Sequence, residues 1–157
     1  MDFRTGKYAG KSFEVVLLKD PAYAHWLSIK GQLGIAKEFQ KLIKWFDEKP
    51  MTAPCVKCGN TATRATGYDG GTGLKLLFYC ENCDDPWIDE AQGRLIRTFN
   101  DAIKFIDDTR KGKKTAKQAI IRKLAEAKGL PKRISAEAAH DFLRPHSALI
   151  GGRWVAV

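Results

Sequence analysis

The amino-acid sequence predicts an α+β fold, a small multi-unit protein with helices at both ends, strands in its middle and a mostly helical, basic C-terminal segment ending in a β-hairpin. Three observations lead there. Apolar residues recur at helical spacing over 33–46 and again between 95 and 127. Two C-x-x-C pairs bracket an alternating, turn-containing stretch, and Gly151-Gly152 separates two short apolar runs near the end. At 157 residues the chain has room for one ordinary domain or two or three very small ones. The expected units are 1–50, 51–90 and 91–157. An apolar fraction of 44% with 10% aromatics excludes wholesale disorder. No run approaches the roughly 20 apolar residues of a membrane span. Asp2, Lys7, Lys11 and Glu14 interrupt any export-signal pattern, so a cytoplasmic protein is expected.

The first unit opens with a short strand, a glycine-containing turn and two helices. Ser12 is placed to cap the first helix, with Glu14 in its acidic first turn. Asp20-Pro21 repeats the signal, with Asp as cap and Pro at the first helical position. Val15, Leu18, Tyr23, Trp26 and Leu27 are the expected apolar contacts. Gly10-Lys11-Ser12 imitates the end of a phosphate-binding P-loop, but Thr5 stands where that loop needs its first glycine, which excludes a nucleotide triphosphatase. The amides of Lys11 to Phe13 are instead expected to open a helix as an anion site, flanked by Lys7 and Lys11, with Tyr8 as a base-stacking face. The alternative is that Tyr8 and Trp26 are core and the lysines solvate a turn.

The order Gly6-Lys7-Tyr8-Ala9-Gly10-Lys11, then Val15, Asp20-Pro21, Tyr23 and Trp26, resembles the module at the C-terminus of exonuclease X-like proofreading nucleases. That module also occurs in small phage and bacterial proteins. The match covers 3–27 and departs at Thr5, where the family commonly carries Phe. The resemblance implies an accessory nucleic-acid-binding role and brings no catalytic residue with it.

Ile35, Phe39, Leu42, Ile43 and Phe46 then form one helical face, with Lys37, Lys41, Lys44 and Lys49 opposite. Pro50 and Pro54 end the unit.

Cys55-Val-Lys-Cys58 and Cys80-Glu-Asn-Cys83 are separated by 21 residues. Each pair can supply two sulfurs of a tetrahedral site from one tight knuckle, and Gly59 suits the turn. Thr61 to Thr66 and Leu74 to Tyr79 read as strands, with a turn over Tyr68 to Gly73. Knuckle, hairpin, knuckle predicts a zinc ribbon with one structural Zn²⁺ per chain, held by Cys55, Cys58, Cys80 and Cys83. Four thiolates leave no position for water, so this zinc is not expected to be catalytic. Paired disulfides or a redox C-x-x-C are the alternatives.

In the third unit Asp89 is expected to cap a helix with the stripe Leu95, Phe99, Ala102, Ile103 and Ile106, stopped at Gly112. Thr115 to Gln118 reads as a capping box for a second helix burying Ile120, Leu124 and Ala127, with Lys114, Lys117 and Lys128 outside. Ser135 caps a third helix, and 148–157 form the hairpin. Three helices and a hairpin are the element order of a winged helix. A helical cap with a basic surface and no sequence readout is the alternative.

Charge separates the units. The chain carries +9 overall, with +3 on 1–50, −3 on 51–90 and +9 on 91–157. Residues 109–133 hold ten Lys or Arg against Glu126 alone. Phosphate neutralisation is the expected use of such a segment, and DNA the expected partner, single-stranded DNA included. Lys7, Lys11, Lys113, Lys114, Lys117, Arg122, Lys132 and Arg133 are the expected phosphate contacts, with Tyr8 and Ser12 completing the nucleic-acid site. The alternative is a protein-binding adaptor or inhibitor using the acidic ribbon face of Glu81, Asp84, Asp85, Asp89 and Glu90. A metal nuclease built on His140 and His146 needs further converging ligands, and no hydrolase motif is present, so a non-enzyme is expected.

Overall fold

The computed structural model describes residues 1–70, 73–90, 93–144, 147–150 and 153–156. Residues 1–13 fold back on themselves before any helix begins. Phe3 exchanges backbone hydrogen bonds with Lys11 and Gly10, and Asp2 bridges Ser12. Gly6 and Gly10 turn the loop at φ of +84° and +80°, a region that L side chains avoid.

Three helices follow: α1 (Phe13–Lys19), α2 (Pro21–Lys30) and α3 (Leu33–Glu48). Ser12 caps α1 by accepting from the Val15 amide, and Asp20 caps α2 by accepting from that of Tyr23. α3 is amphipathic, with Ala36, Phe39, Leu42, Ile43 and Phe46 buried as its spacing predicts.

The middle of the chain is a three-stranded antiparallel sheet of order β2-β1-β3, made of β1 (Arg64–Gly70), β2 (Gly73–Tyr79) and β3 (Arg94–Ile96). β1 continues through Tyr68 to Gly70, which the sequence suggested as turn. Arg64 pairs with Tyr79 at one end and Gly70 with Gly73 at the other. Gly67 is required where β1 meets the helical layer. A Cβ there would lie 2.7 Å from Ile96 Cδ1 and 2.9 Å from Phe105 Cε1.

The third segment begins differently from its expected form. Asp89 lies in a short helix, α4 (Pro86–Glu90), and Leu95 belongs to β3, where it is exposed. The helix carrying Phe99 to Ile106 is α5 (Phe99–Arg110), capped by Thr98 in a reciprocal box with Asp101. Two reciprocal side-chain bonds at Thr98 outweigh the apolar period that made Leu95 read as helical. α6 (Lys114–Ala127) starts one residue before the expected box, so Thr115 is inside it and Lys113 caps without a side-chain bond. α7 (Ala136–Phe142) is capped by Ser135 as expected. Strands β4 (Ser147–Ile150) and β5 (Arg153–Ala156) pair antiparallel.

One cluster of buried apolar side chains runs through all three segments. It joins Leu17 and Phe39 to Ala65 and Ile96, and these to Ile103, Ile121, Leu124 and Leu143. Full burial of a leucine, isoleucine or phenylalanine here is worth about 1.5–3 kcal/mol relative to exposure. α1 lies in the middle of the helical layer, against α2, α3, α6 and α7, while α5 and α6 back the sheet. Polar stitches follow the same route. Lys128 is 4% exposed, not outside, and its Nζ donates to the carbonyls of Phe46, Asp47 and Lys49 at the end of α3. Asp47 accepts from the Phe99 amide at the start of α5 at 2.7 Å.

Candidate metal centre and nucleic-acid interface

The four cysteines come together. Their sulfurs all lie within 4.8 Å of one another, all four are free thiols, and Cys58 Sγ is 3.6 Å from Cys80 Sγ. The first knuckle is shaped by Gly59, whose amide returns to the Cys55 carbonyl at φ +78°, and by Cys55 N–H to the Asn60 carbonyl. Val56 N–H to the Phe78 carbonyl ties that knuckle to β2, and Cys80 follows directly on β2. A tetrahedron with metal–sulfur bonds near 2.3 Å puts sulfurs roughly 3.8 Å apart, so the set fits a metal ion with little movement.

Backbone donors favour the thiolate of Cys55. Burial works to raise the Cys55 thiol, but the amides of Cys58, Cys80 and Lys57 outweigh it and hold the group at about 6. Cys83 is pushed up to about 12 by hydrogen bonds from its own sulfur to Cys80 and Cys58, with burial adding to them. Beside the knuckles, Arg97 grips Glu81 with both guanidinium nitrogens at 2.7 and 3.3 Å, and Arg64 donates to the Cys83 carbonyl at 2.6 Å. Hydrogen bonds from Arg97 and Thr63 draw Glu81 down to about 2. Asp85 is buried, accepting from Thr66 Oγ1 and the Trp87 amide. Of the acidic face the sequence suggested for a protein partner, Asp84 is exposed while Glu81 and Asp85 are engaged internally. The side chains of Asp89 and Glu90 lie outside the described residues.

The expected phosphate contacts divide into three groups. Lys7 and Lys114 meet from opposite ends of the sequence at one buried carboxylate: Asp20 is 3.1 Å from Lys114 Nζ and 3.9 Å from Lys7 Nζ. Tyr8 also donates its hydroxyl to Asp20, and burial together with that bond raises the phenol to about 12. Two ammonium groups on one carboxylate leave an excess of +1 at the spot. Lys117 and Arg122 are paired, Lys117 with Asp107 at 2.9 Å and Arg122 with Glu126 at 3.2 Å. Arg122 also donates to the Lys132 carbonyl, and Lys117 is largely buried. Lys11, Lys113, Lys132 and Arg133 are exposed and form no ion pair among the described residues.

Of the three amides expected as an anion site over residues 11–13, two already have partners within the chain. The Lys11 amide donates to the Tyr8 carbonyl and that of Phe13 to Met1, while the Ser12 hydroxyl takes the Val15 amide. Ser12 is a cap. Tyr8 is half-buried between Phe3 and Tyr23, with Lys7 Nζ 5.0 Å from its ring centre. Tyr23 and Trp26, expected among the apolar contacts of this unit, are exposed and stack on each other at 6.1 Å and 19°. Periodicity missed them because α2 is apolar on every side, and no pattern says which side stays open.

His140 is exposed, 3.9 Å from Glu14, and His146 lies outside the described residues. Among the described residues, the four cysteines are the cluster of potential ligands at metal-binding distance. No described helix is long and apolar enough to cross a membrane. Comparison of the chain with protein-family models, with curated proteins and with solved structures finds no match.

Proposed function

We propose that the protein is a non-catalytic, zinc-containing DNA-binding protein that contacts mainly the phosphate backbone and serves DNA metabolism in a phage or mobile element. The observation that carries this reading is the meeting of Lys7 and Lys114 at Asp20. It joins the basic N-terminal loop to the start of α6, in the segment that holds most of the chain's excess charge. Lys11 and Lys113, each close in sequence to that pair, are exposed, as are Lys132 and Arg133 beyond the far end of α6. The resemblance of 3–27 to a nuclease-associated module points to the same partner.

Zinc is the ion we assign to the four cysteines. Soft thiolates in a closed tetrahedral set favour it, and its two positive charges let all four sulfurs ionise together. The residues of this chain hold the ion through Cys55, Cys58, Cys80 and Cys83, and the ion in turn fixes the sheet on which α5 and α6 rest. The adaptor reading has less support, because Glu81 and Asp85 are already satisfied within the chain.

Salt-titrated binding to labelled DNA tests the function. Neutralising several phosphates makes affinity fall steeply between about 50 and 200 mM salt. A flat dependence, or no binding at the lower salt, overturns the reading.

A further inference from the structure

The surface of α2 is unusual for a helix end exposed to water. Pro21, Ala24, Leu27 and Ser28 are buried, yet the opposite side carries Tyr23 at 37% exposure, Trp26 at 55% and Ile29 at 62%, and Leu33 follows at 72%. Large apolar side chains gathered this way mark a contact surface more often than scattered single ones do. Chemistry on the same stretch narrows the partner. Residues 21–37 contain no Asp or Glu at all, while Lys30 and Lys37 are exposed. The aromatic side is also continuous with the cationic pair. Tyr23 lies 5.7 Å from Tyr8 and 6.1 Å from Trp26, ring centre to ring centre, and Tyr8 bonds the carboxylate shared by Lys7 and Lys114.

We infer that Tyr23 and Trp26 form a stacking platform for the bases of single-stranded DNA, whose backbone runs beside Lys7, Lys114 and Lys30. This rests on the DNA-binding reading above and adds to it a strand preference and the residues that set it. Aromatic faces bind any base without reading its edge, and a duplex hides its base faces while a single strand offers them. The lysines alone do not discriminate, since both forms present phosphate. A carboxylate-free apolar face bordered by ammonium groups suits a chain of alternating phosphates and flat rings, and is poorly matched to a second copy of this equally cationic surface.

The test uses the full-length protein with a labelled oligothymidylate, a duplex of equal length and an oligouridylate, comparing wild type with Trp26→Ala, Tyr23→Ala and Trp26→Phe. Trp26 is the more exposed of the two, so thermal melts of its variants should match wild type, whereas Tyr23→Ala also removes packing against Phe3 and Tyr8 and is read against its own melt. Stacking losses of the usual size lower oligothymidylate affinity roughly 5- to 150-fold for Trp26→Ala. Duplex affinity and the slope of log affinity against log salt should stay unchanged, and Trp26→Phe should recover most of the loss. Wild-type binding to oligothymidylate by Trp26→Ala, or equal losses on single and double strands, removes the platform while leaving the electrostatic reading intact. Tighter binding to oligouridylate overturns the assignment to DNA. An effect of Trp26→Ala confined to self-association or to binding of anionic vesicles also overturns it. Failure of wild type to bind any of the three removes both readings at once.

Discussion

Lys114, on the first turn of α6, places its ammonium 3.1 Å from the Asp20 carboxylate that caps α2, in a site where that carboxylate is only 4% exposed. The contact is local to neither helix; it spans most of the sequence. Asp20→Asn retains a good capping residue but removes the charge. Burial keeps part of the Tyr8 shift, so its ionisation should move from about 12 only part of the way toward 10, as read by ultraviolet titration. Asp20 is itself held below its ordinary value, against the burial that opposes it, by hydrogen bonds from Tyr8 and Lys114. Its contribution to stability is therefore present above about pH 4 and lost as pH falls further. Acid melts of Asp20→Asn should be flatter than those of wild type, and parallel curves would refute the linkage.

Lys128 makes a prediction of the same sign in alkali, from the opposite cause, a cation that burial disfavours. Burial pushes its ammonium down to about 8, against the attraction of Asp47. Between that value and the ordinary 10.5 the unfolded chain binds more protons than the folded one, so stability from this group rises with pH across the window. The gain is on the order of 3 kcal/mol at most. Subtracting the pH profile of Lys128→Met from that of wild type isolates it, and a difference that falls with pH would contradict the burial account.

Metal removal should separate the sheet from its support. One zinc per chain is expected by elemental analysis, with Cys58→Ser and Cys83→Ser each losing it. A chelator should lower the melting temperature of wild type and leave those two variants unaffected. Iron, or much less than one metal per chain in freshly purified protein, would count against the zinc assignment.

Charge pairing sorts the basic residues. Lys113→Ala, Lys132→Ala and Arg133→Ala should each reduce the salt slope of DNA binding by about one, uniformly across sequences. Arg122→Ala, whose guanidinium is held by Glu126 and a backbone carbonyl, should change the slope far less. An equal effect from Arg122 would mean that the ion pair opens on binding.

Gly67→Ala brings a methyl group against Ile96 and Phe105 at less than contact distance. A loss of about 1–3 kcal/mol is expected from such overpacking, measured by urea unfolding. An unchanged midpoint would show that α5 can retreat from β1.

Much of this architecture is legible in the residues themselves. The cysteine spacing, the caps at Ser12, Asp20 and Ser135, and the buried face of α3 all act locally, and each appears where local chemistry puts it. What escaped was decided by distant partners. β3 exists because Ala65, Thr66 and Gly67 offer it a free edge, some thirty residues earlier in the chain. Lys128 turns inward because the carbonyls ending α3 accept its three donors, which no helical period records. Likewise Lys117 and Arg122 look like any other cations until Asp107 and Glu126 are found beside them. The aromatic side of α2 is apparent only once the other side is seen to be occupied.

The position of α1 has a consequence for how the protein comes into being. α1, with Val16, Leu17 and Leu18 buried, rests on helices made well after it, α6 and α7. During synthesis this greasy stretch emerges ahead of them and waits, unpartnered on one side, for about a hundred residues to be added. Chaperone capture of the nascent α1, or its early aggregation at high expression, is thus written into the order in which the helices are spelled.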